Sequence, residues 1–332
     1  MNPAIQGILT IVIGVGGCIG YFYFSNQLLD KVIFPASGPN IGRNINRANM
    51  VRPWLFLFPA IFALGLYLAY PVFATLWLSL TDRDAGGAFV GLANYSQMAS
   101  EPKFWEAIGN NMLWLIVVPA MSTAFGLLAA QLTDRISWGN IAKSMIFMPM
   151  AISFVGASVI WKLIYDTRPE NQDQIGVLNA LWVWFGGDPQ TWLTITPWNN
   201  FLLMVVLIWI QTGFAMVILS AALRGVPEDT IEAAIIDGAG PFQIFFKIKI
   251  PQIMSTIVVV WTTITIVVLK VFDIVLAMTN GQWGTQVLAN YMYDKLFRSF
   301  DWGVGSASAM IIMLLVSPIL VWNVYNANKE MR

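Results

Sequence analysis

Long apolar runs alternate with short polar segments along the chain. Seven runs are long enough to cross a hydrocarbon core of about 30 Å as helices, since a crossing takes about 20 residues. Their approximate ranges are 4–24, 53–80, 111–133, 144–165, 201–223, 254–279 and 305–326. The runs are far too long for barrel strands, and the alternation that such strands require is not seen. The pattern therefore predicts an all-α, polytopic membrane helical bundle.

The distribution of basic residues predicts how these helices are oriented. With the N-terminus outside, eleven Lys and Arg residues would face the cytosol and five would face outward. The cytosolic set is Lys31, Arg43, Arg47, Arg52, Arg135, Lys143, Arg224, Lys247, Lys249, Lys329 and Arg332, and the outward set is Arg83, Lys103, Arg168, Lys295 and Arg298. Because basic residues accumulate on the cytosolic side, we expect the N-terminus outside and the C-terminus inside.

Composition removes several classes of chemistry. The chain is 57% hydrophobic and 11% charged, which is typical of an integral membrane protein in contact with lipid. Its 18 basic and 18 acidic residues cancel, so no broad field would attract nucleic acid. Histidine is absent and Cys18 is the sole cysteine, which argues against zinc clusters, internal disulfides and Cys/His catalysis. We therefore expect neither a metal nor a cofactor.

The segment at about 224–252 interrupts the apolar pattern with an amphipathic one. Pro227 is placed to begin a helix, Gly238 and Gly240 to end it, and Pro241 to begin a second helix. Apolar side chains recur on both helices, at Ile231, Ala234, Ile235, Phe242, Phe245 and Phe246. In one interpretation, these helices pack against the bilayer surface or the membrane bundle. In the other, they fill a groove on a cytosolic partner. The pattern leaves both interpretations open.

The same segment resembles a known signature. It contains Glu-Ala-Ala, three residues, Gly, nine residues, Ile, one residue, Ile and Pro, formed by Glu232, Ala233, Ala234, Gly238, Ile248, Ile250 and Pro251. This pattern is similar to the EAA loop of permease subunits in binding-protein-dependent ABC importers, with Ile250 in place of Leu. Stretches such as FVGLANY, FMPMAIS and FDIVLAMTNG resemble the sugar branch of that family, the maltose and α-glucoside type. The likeness covers roughly 53–326.

The resemblance implies a fold and a set of partners. We expect the six-helix core of a type I importer in 53–332 and one extra transmembrane helix with a basic linker in 1–52. The implied partners are a second related permease, two ATP-binding cassette ATPase subunits and an extracytoplasmic sugar-binding protein, all assembled in the lipid of a bacterial inner membrane. The chain has no G-x-x-x-x-G-K-[ST] loop, so ATP would be hydrolysed on a partner chain.

The resemblance also implies site residues. Glu232, Ala233, Ala234, Asp237, Gly238, Ile248 and Pro251 would form the coupling surface that docks into the ATPase. Lys270, Val267 and Thr263 fall near positions where maltose-type permeases present sugar contacts, and their spacing would place them on one face of a helix. Gln211 and Thr212 would face the same cavity or bond between helices. Lys270 would alternatively extend outward and pair with Asp273.

Two other functions compete with a sugar importer. An ion-driven secondary transporter commonly carries acidic residues within its spans, and here the spans are almost free of them. A membrane-bound glycosidase would need two converging carboxylates, whereas the acids here lie in loops and in the segment at about 224–252. The resemblance implies a subunit of an ATP-driven importer of α-glucosides or other oligosaccharides, which is not itself an enzyme. The identity of the sugar does not follow from the sequence.

Overall fold

The computed structural model describes residues 3–35, 40–82 and 86–330 of the chain. Arg83 and Arg332, two of the residues counted for orientation, lie outside the described residues. The chain divides into two compact units, Met1–Ala74 and Thr75–Arg332. The predicted all-α class is confirmed, because helices make up nearly all of the regular structure that is described.

The first unit contains two long helical segments. Helix α1 (Pro3–Leu28) continues as a π-helical turn, Leu29–Ile33. Helix α2 (Ile41–Leu64) continues through a second such turn, Gly65–Ala69, into α3 (Tyr70–Ser79), within which the division between the units falls. The predicted span at 53–80 therefore begins earlier, at Ile41. Two polar contacts join these segments: the Tyr21 hydroxyl donates to the Leu55 carbonyl over 2.8 Å, and Arg52 pairs with Asp30 over 2.6 Å.

The second unit contains thirteen further helices and one small hairpin within the described residues. The hairpin pairs Thr81–Asp82 with Ala88–Phe89 in antiparallel register. The helices are α4 (Ala93–Ser100), α5 (Pro102–Thr133), α6 (Gly139–Phe147), α7 (Phe154–Ile164), α8 (Val177–Trp184), α9 (Trp198–Arg224), α10 (Glu228–Ile236), α11 (Pro241–Ile244), α12 (Ile250–Gln252), α13 (Met254–Leu269), α14 (Asp273–Met278), α15 (Leu288–Tyr293) and α16 (Trp302–Glu330).

Helices α5 and α9 form the centre of this unit. A Cβ atom added at Gly126 of α5 would lie 2.4 Å from the Cβ of Ala215 and 2.8 Å from the backbone nitrogen of Met216, both in α9. Only glycine allows so close an approach of the two backbones. Along the two helices, side chains such as those of Trp114 and Met216 are fully buried in one hydrophobic cluster. The two helices therefore pack as one body.

The predicted span at 144–165 is wrong as a single straight helix. Helix α6 and the 3₁₀ turn Met148–Ala151 meet α7 at an angle of 105°. The Ser153 hydroxyl begins α7 by accepting a hydrogen bond from the backbone nitrogen of Gly156 over 3.1 Å. A Cβ added at Gly213 of α9 would lie 2.6 Å from the Ile146 carbonyl, so α6 crosses α9 in close contact. A serine cap and a glycine contact position this bend.

The predicted span at 254–279 is also interrupted. Helix α13 ends at Leu269, and α14 begins at Asp273. Before α13, the helical run Pro241–Gln252 meets it at 71°. By length and composition, four helices of the described residues can each cross a membrane, and two bent pairs raise that number to six. The seventh apolar run lies in α16, whose apolar part is Trp302–Pro318.

Gly126→Ala should lower the thermal stability of the purified protein. The new methyl group meets backbone atoms of α9 that cannot turn away, and such overpacking costs about 1–3 kcal/mol. Gly109→Ala is the matched control on the same helix, because its added Cβ meets no atom within 4 Å. The melting temperature in detergent is the measurement. Equal melting temperatures for the two variants would contradict the close contact between α5 and α9.

Candidate coupling and substrate sites

The segment between α9 and α13 folds as a helical hairpin, here called the coupling hairpin (residues 225–252). Its first arm is α10, which ends in a Schellman motif. Gly238 has a φ of +81°, its amide donates to the Ile235 carbonyl over 3.0 Å, and the Ala239 amide donates to the Ala234 carbonyl over 2.9 Å. No atom lies within 4 Å of a Cβ added at Gly238. Glycine is required here by the left-handed backbone and not by crowding.

The second arm is a helical run from Pro241 to Gln252. Helix α11 continues through a π-helical turn, Phe245–Lys249, into α12, so Ile248 and Pro251 both lie inside the helical run. Pro251 does not end this arm, because the break follows at Ile253. The Gln243 side chain accepts a hydrogen bond from the Gly240 amide over 3.0 Å, which caps the start of the arm.

The coupling hairpin buries few of its side chains and exposes large apolar ones. Ala234 and Ile244 are buried, whereas Ile236 is 85% exposed and Phe242 is 80% exposed. Glu232 is exposed as well, and its carboxylate makes no hydrogen bond or ion pair with any described residue. Ala233, Asp237 and Gly238 are also exposed. The predicted coupling residues thus share one hairpin, most of them at its surface, beside an unfilled apolar face.

A polar cluster lies where the coupling hairpin joins the bundle. Lys143 of α6 forms an ion pair with Asp134, which follows α5, and donates to the hydroxyl of Ser220 over 2.8 Å. Ser220 donates to Asp134 over 3.0 Å. Burial lowers the pKa of Lys249 at the end of the hairpin, Arg135 lowers it further, and Asp134 opposes the change. The cluster ties the turn between α5 and α6 to the foot of α9.

The structure places the predicted substrate residues on α13, at its end and on α9. Thr263 is exposed on α13 and Val267 is half-buried, but Lys270 lies beyond the end of that helix, with φ −105° and ψ 15°. Lys270 is thus the residue that caps the helix, directly after its last turn. On α9, Gln211 is buried and Thr212 is half-buried. The Thr212 and Thr263 hydroxyls bond to carbonyls of their own helices, Ile208 and Val259, over 2.7 and 2.8 Å.

The structure does not support pairing of Lys270 with Asp273. The four ion pairs found among the described residues do not include this pair, and the Lys270 ammonium has no hydrogen-bond partner there. The predicted i, i+3 geometry fails because the helix ends between the two residues. Lys270 instead lies exposed at the interruption of the sixth apolar run.

The turn after α14 is held by asparagines that the sequence analysis missed. The Asn110 amide donates to the carbonyls of Gly284 and Gln286 over 2.9 and 2.8 Å, and the Asn200 amide donates to that of Gly284 over 2.9 Å. Asn199 donates to the Trp283 carbonyl over 2.7 Å. A signal was present, since Asn-Asn pairs stand at the starts of two apolar runs, at 110–111 and 199–200. Paired amides at such positions indicate a structured turn.

An ion-paired cluster neighbours this turn. Lys295 pairs with Glu101 over 2.5 Å, and the hydroxyl of Tyr291 donates to the same carboxylate over 2.9 Å. Burial and this hydrogen bond both raise the pKa of Tyr291. The phenol therefore remains a proton donor at ordinary pH. Together with the asparagine contacts, this bond gives the turn and α15 a defined position against α5.

A bent multi-helix bundle with an exposed helical hairpin between α9 and α13 is the fold of an importer permease. The chain has that fold: a solved bacterial ABC transporter involved in the import of the acidic polysaccharide alginate matches with a TM-score of 0.73 at 18% identity, over 88% of this chain and 99% of that one. The family model for the binding-protein-dependent transport system inner membrane component matches residues 122–330. The chain belongs to this family.

Two relatives are more similar to this chain in sequence than the solved alginate transporter is. The α-glucoside transport system permease protein AglF of Rhizobium meliloti (strain 1021) is 63% identical over 99% of both chains. The osmoprotective compounds uptake permease protein GgtC of Synechocystis sp. (strain ATCC 27184 / PCC 6803 / Kazusa) is 47% identical over 84% of this chain and 100% of its own. The expected family is therefore confirmed: the chain is a multi-pass inner-membrane permease and not itself an enzyme.

Gly238→Ala should loosen the coupling hairpin, whereas Gly240→Ala should not. A left-handed backbone costs about 1–2 kcal/mol for a residue with a Cβ, so amide exchange in the turn should be about five- to thirty-fold faster. Gly240 has a φ of −73° and open space at its Cβ, which makes it the matched control. Hydrogen exchange of the 234–244 peptide is the measurement. Equal exchange in both variants would contradict the Schellman motif.

Proposed function

We propose that the chain is the membrane subunit of an ATP-driven importer of α-linked glucosides. The observation that carries this proposal is the exposed coupling hairpin with its EAA residues, in a chain that is 63% identical to a named α-glucoside permease. The sequence contains no phosphate-binding loop for ATP, so the energy must enter through a partner. A surface on which a partner can act is therefore necessary, and the coupling hairpin provides one.

The proposed complex contains a second related permease, two ATPase subunits and an extracytoplasmic sugar-binding protein. The ATPase takes the coupling hairpin into a cleft, where Ile236 and Phe242 lose their exposure to water. The unpaired carboxylate of Glu232 then meets a basic group of the ATPase. The binding protein docks on the outer segments at about 81–110, 166–200 and 280–304, where the turn held by Asn110 and Asn200 supplies a rigid surface.

The proposed coupling follows from the connections of the hairpin. Three residues, Gly225 to Pro227, separate α9 from α10, so a displacement of the hairpin moves the foot of α9. The cluster of Asp134, Lys143 and Ser220 passes that displacement to α5 and α6. Closure of the ATPase pair would thereby turn the membrane helices from inward-facing to outward-facing. We assign this core to 53–332, and the extra helix and basic linker to 1–52.

The proposed substrate contacts are Lys270, Thr263, Val267, Gln211 and Thr212. Support comes from the unpaired ammonium of Lys270 and from the exposure of Thr263. Lys270 stands at a break in the helix, and irregular backbone at membrane depth is tolerated where it is buried in protein or lines a water-filled cavity. Val267 adds an apolar surface for the sugar ring.

The function is tested with the whole complex in vesicles. Uptake of maltose and trehalose, two α-glucosides, should require ATP and should persist with an uncoupler. Glu232→Lys should keep the complex assembled but abolish sugar-stimulated ATP hydrolysis, because it places like charges together in a desolvated contact. Glu228→Lys, on the same helix, is the control and should retain most of the activity. Uptake that collapses with the uncoupler would contradict the ATP-driven mechanism in favour of ion-driven transport.

The proposed orientation places the N-terminus outside and the C-terminus inside. In a Cys18→Ala background, Asn46→Cys should be shielded from an impermeant thiol reagent in intact cells, and Asp188→Cys should be labelled. Both positions are exposed in their own units, so burial within the chain does not explain a difference. Both should react after the cells are opened. The reverse pattern in intact cells would refute the orientation.

A further inference from the structure

Three aromatic rings form a continuous row beside the break that follows α13. Phe272 lies in the break, and its ring centroid is 5.3 Å from that of Tyr293, the last residue of α15. The Tyr293 ring is in turn 5.1 Å from that of Phe297, one turn further along. Phe272 and Tyr293 are half-buried, whereas Phe297 is exposed. The row therefore leads from the protein surface to a partly enclosed position.

The row ends in a cavity of about 350 Å³. The cavity is lined by apolar groups of α15, α16 and the break, and its cationic group is Lys270; the lining includes Lys270, Phe272, Ala289, Tyr293, Ala309 and Ile312. A volume of this size lies within the range of small-molecule sites, which extends from about 300 to 1,000 Å³. The cavity therefore combines aromatic rings with an ammonium that has no partner among the residues the structure describes.

Polar groups also border the row at its outer end. The Arg298 guanidinium lies 5.6 Å from the centre of the Tyr293 ring, and it bonds to Asp294 over 2.9 Å and to Asn280 over 2.7 Å. These contacts hold Arg298 beside the rings. A cation fixed next to an aromatic face presents N–H donors at the edge of a flat apolar surface.

We propose that Phe272, Tyr293 and Phe297 form a stacking track for the pyranose rings of a glucoside, which ends in the cavity beside Lys270. This proposal rests on the proposed function, whose substrate site it extends. A pyranose has an apolar face that packs on an aromatic ring and a rim of hydroxyls that accept from ammonium and guanidinium groups. A lipid chain matches the rings but leaves Lys270 unpaired. The sugar satisfies both parts of the surface.

The test uses uptake of maltose and trehalose by the reconstituted complex. Tyr293→Leu and Phe297→Leu should each raise the KM for uptake about three- to tenfold through the loss of a stacking contact. Tyr293→Phe should restore the normal KM because it keeps the ring. Phe125→Leu removes an exposed ring from α5, outside the segments proposed to dock the binding protein, and it should leave the KM unchanged.

A second variant tests the cavity itself. Ala309→Phe on α16 fills the space beside Lys270, and it should reduce uptake while the complex still assembles. Loss of assembly in Ala309→Phe would show that the cavity seats another protein chain, and would overturn the proposal. An unchanged KM in both leucine variants, with normal uptake by the unaltered complex, would overturn the track alone. Absence of uptake by the unaltered complex would contradict the proposed function and the track together.

Discussion

The contact of α5 with α9 at Gly126 determines how the rest of the second unit is arranged. The two backbones come so close there that no Cβ fits between them. Within a membrane, water does not drive helices together, so close packing of small residues has to supply the attraction. A second glycine contact, at Gly213, brings α6 onto α9, and the bend that follows places α7 beside the same core. The helices that carry the coupling hairpin thus start from one rigid body.

The class of fold and the coupling hairpin were predictable from local signals. Apolar length predicts membrane helices because lipid leaves no other partner for the backbone. Proline and glycine at Pro227, Gly238 and Pro241 predicted the beginning, turn and second arm of the hairpin, and each lies where expected. The amphipathic pattern alone left two interpretations of the hairpin open. The resemblance to the EAA spacing implied one of them, docking into an ATPase.

The bends and the substrate face were not predictable in the same way. An apolar run does not reveal where its helix breaks, because both arms of a bent span need apolar side chains. The 105° bend before α7 depends on a serine cap and on a glycine contact with a helix about 60 residues later in the sequence. Lys270 was placed on a helical face by counting, yet the helix ends one residue before it. Long-range packing thus contributes to the bend, which the local apolar pattern does not show.

The polar contacts of the turn after α14 show a third limit on what the sequence predicts. Asn110 and Asn200 stand 90 residues apart, and both bond to the same carbonyl, that of Gly284. Such convergence exists only once the helices have assembled. The sequence shows that two Asn-Asn pairs are present, but not what they hold. In the described part of the chain, these amides serve backbone groups that would otherwise be unsatisfied at the edge of the apolar core.

The short connection between α9 and α10 determines how displacement is transmitted between the coupling hairpin and the bundle. Three residues, one of them a proline with a fixed φ, leave little slack between the hairpin and the bundle. A stiff linkage carries displacement both ways, and thermodynamic linkage requires the coupling free energy to be the same from either end. In the proposed complex, ligand binding that alters α9 would therefore change the affinity of the coupling hairpin for the ATPase, and ATPase docking would change the affinity for that ligand by the same factor. Ligand binding and ATPase docking would then be two measures of the same conformational equilibrium.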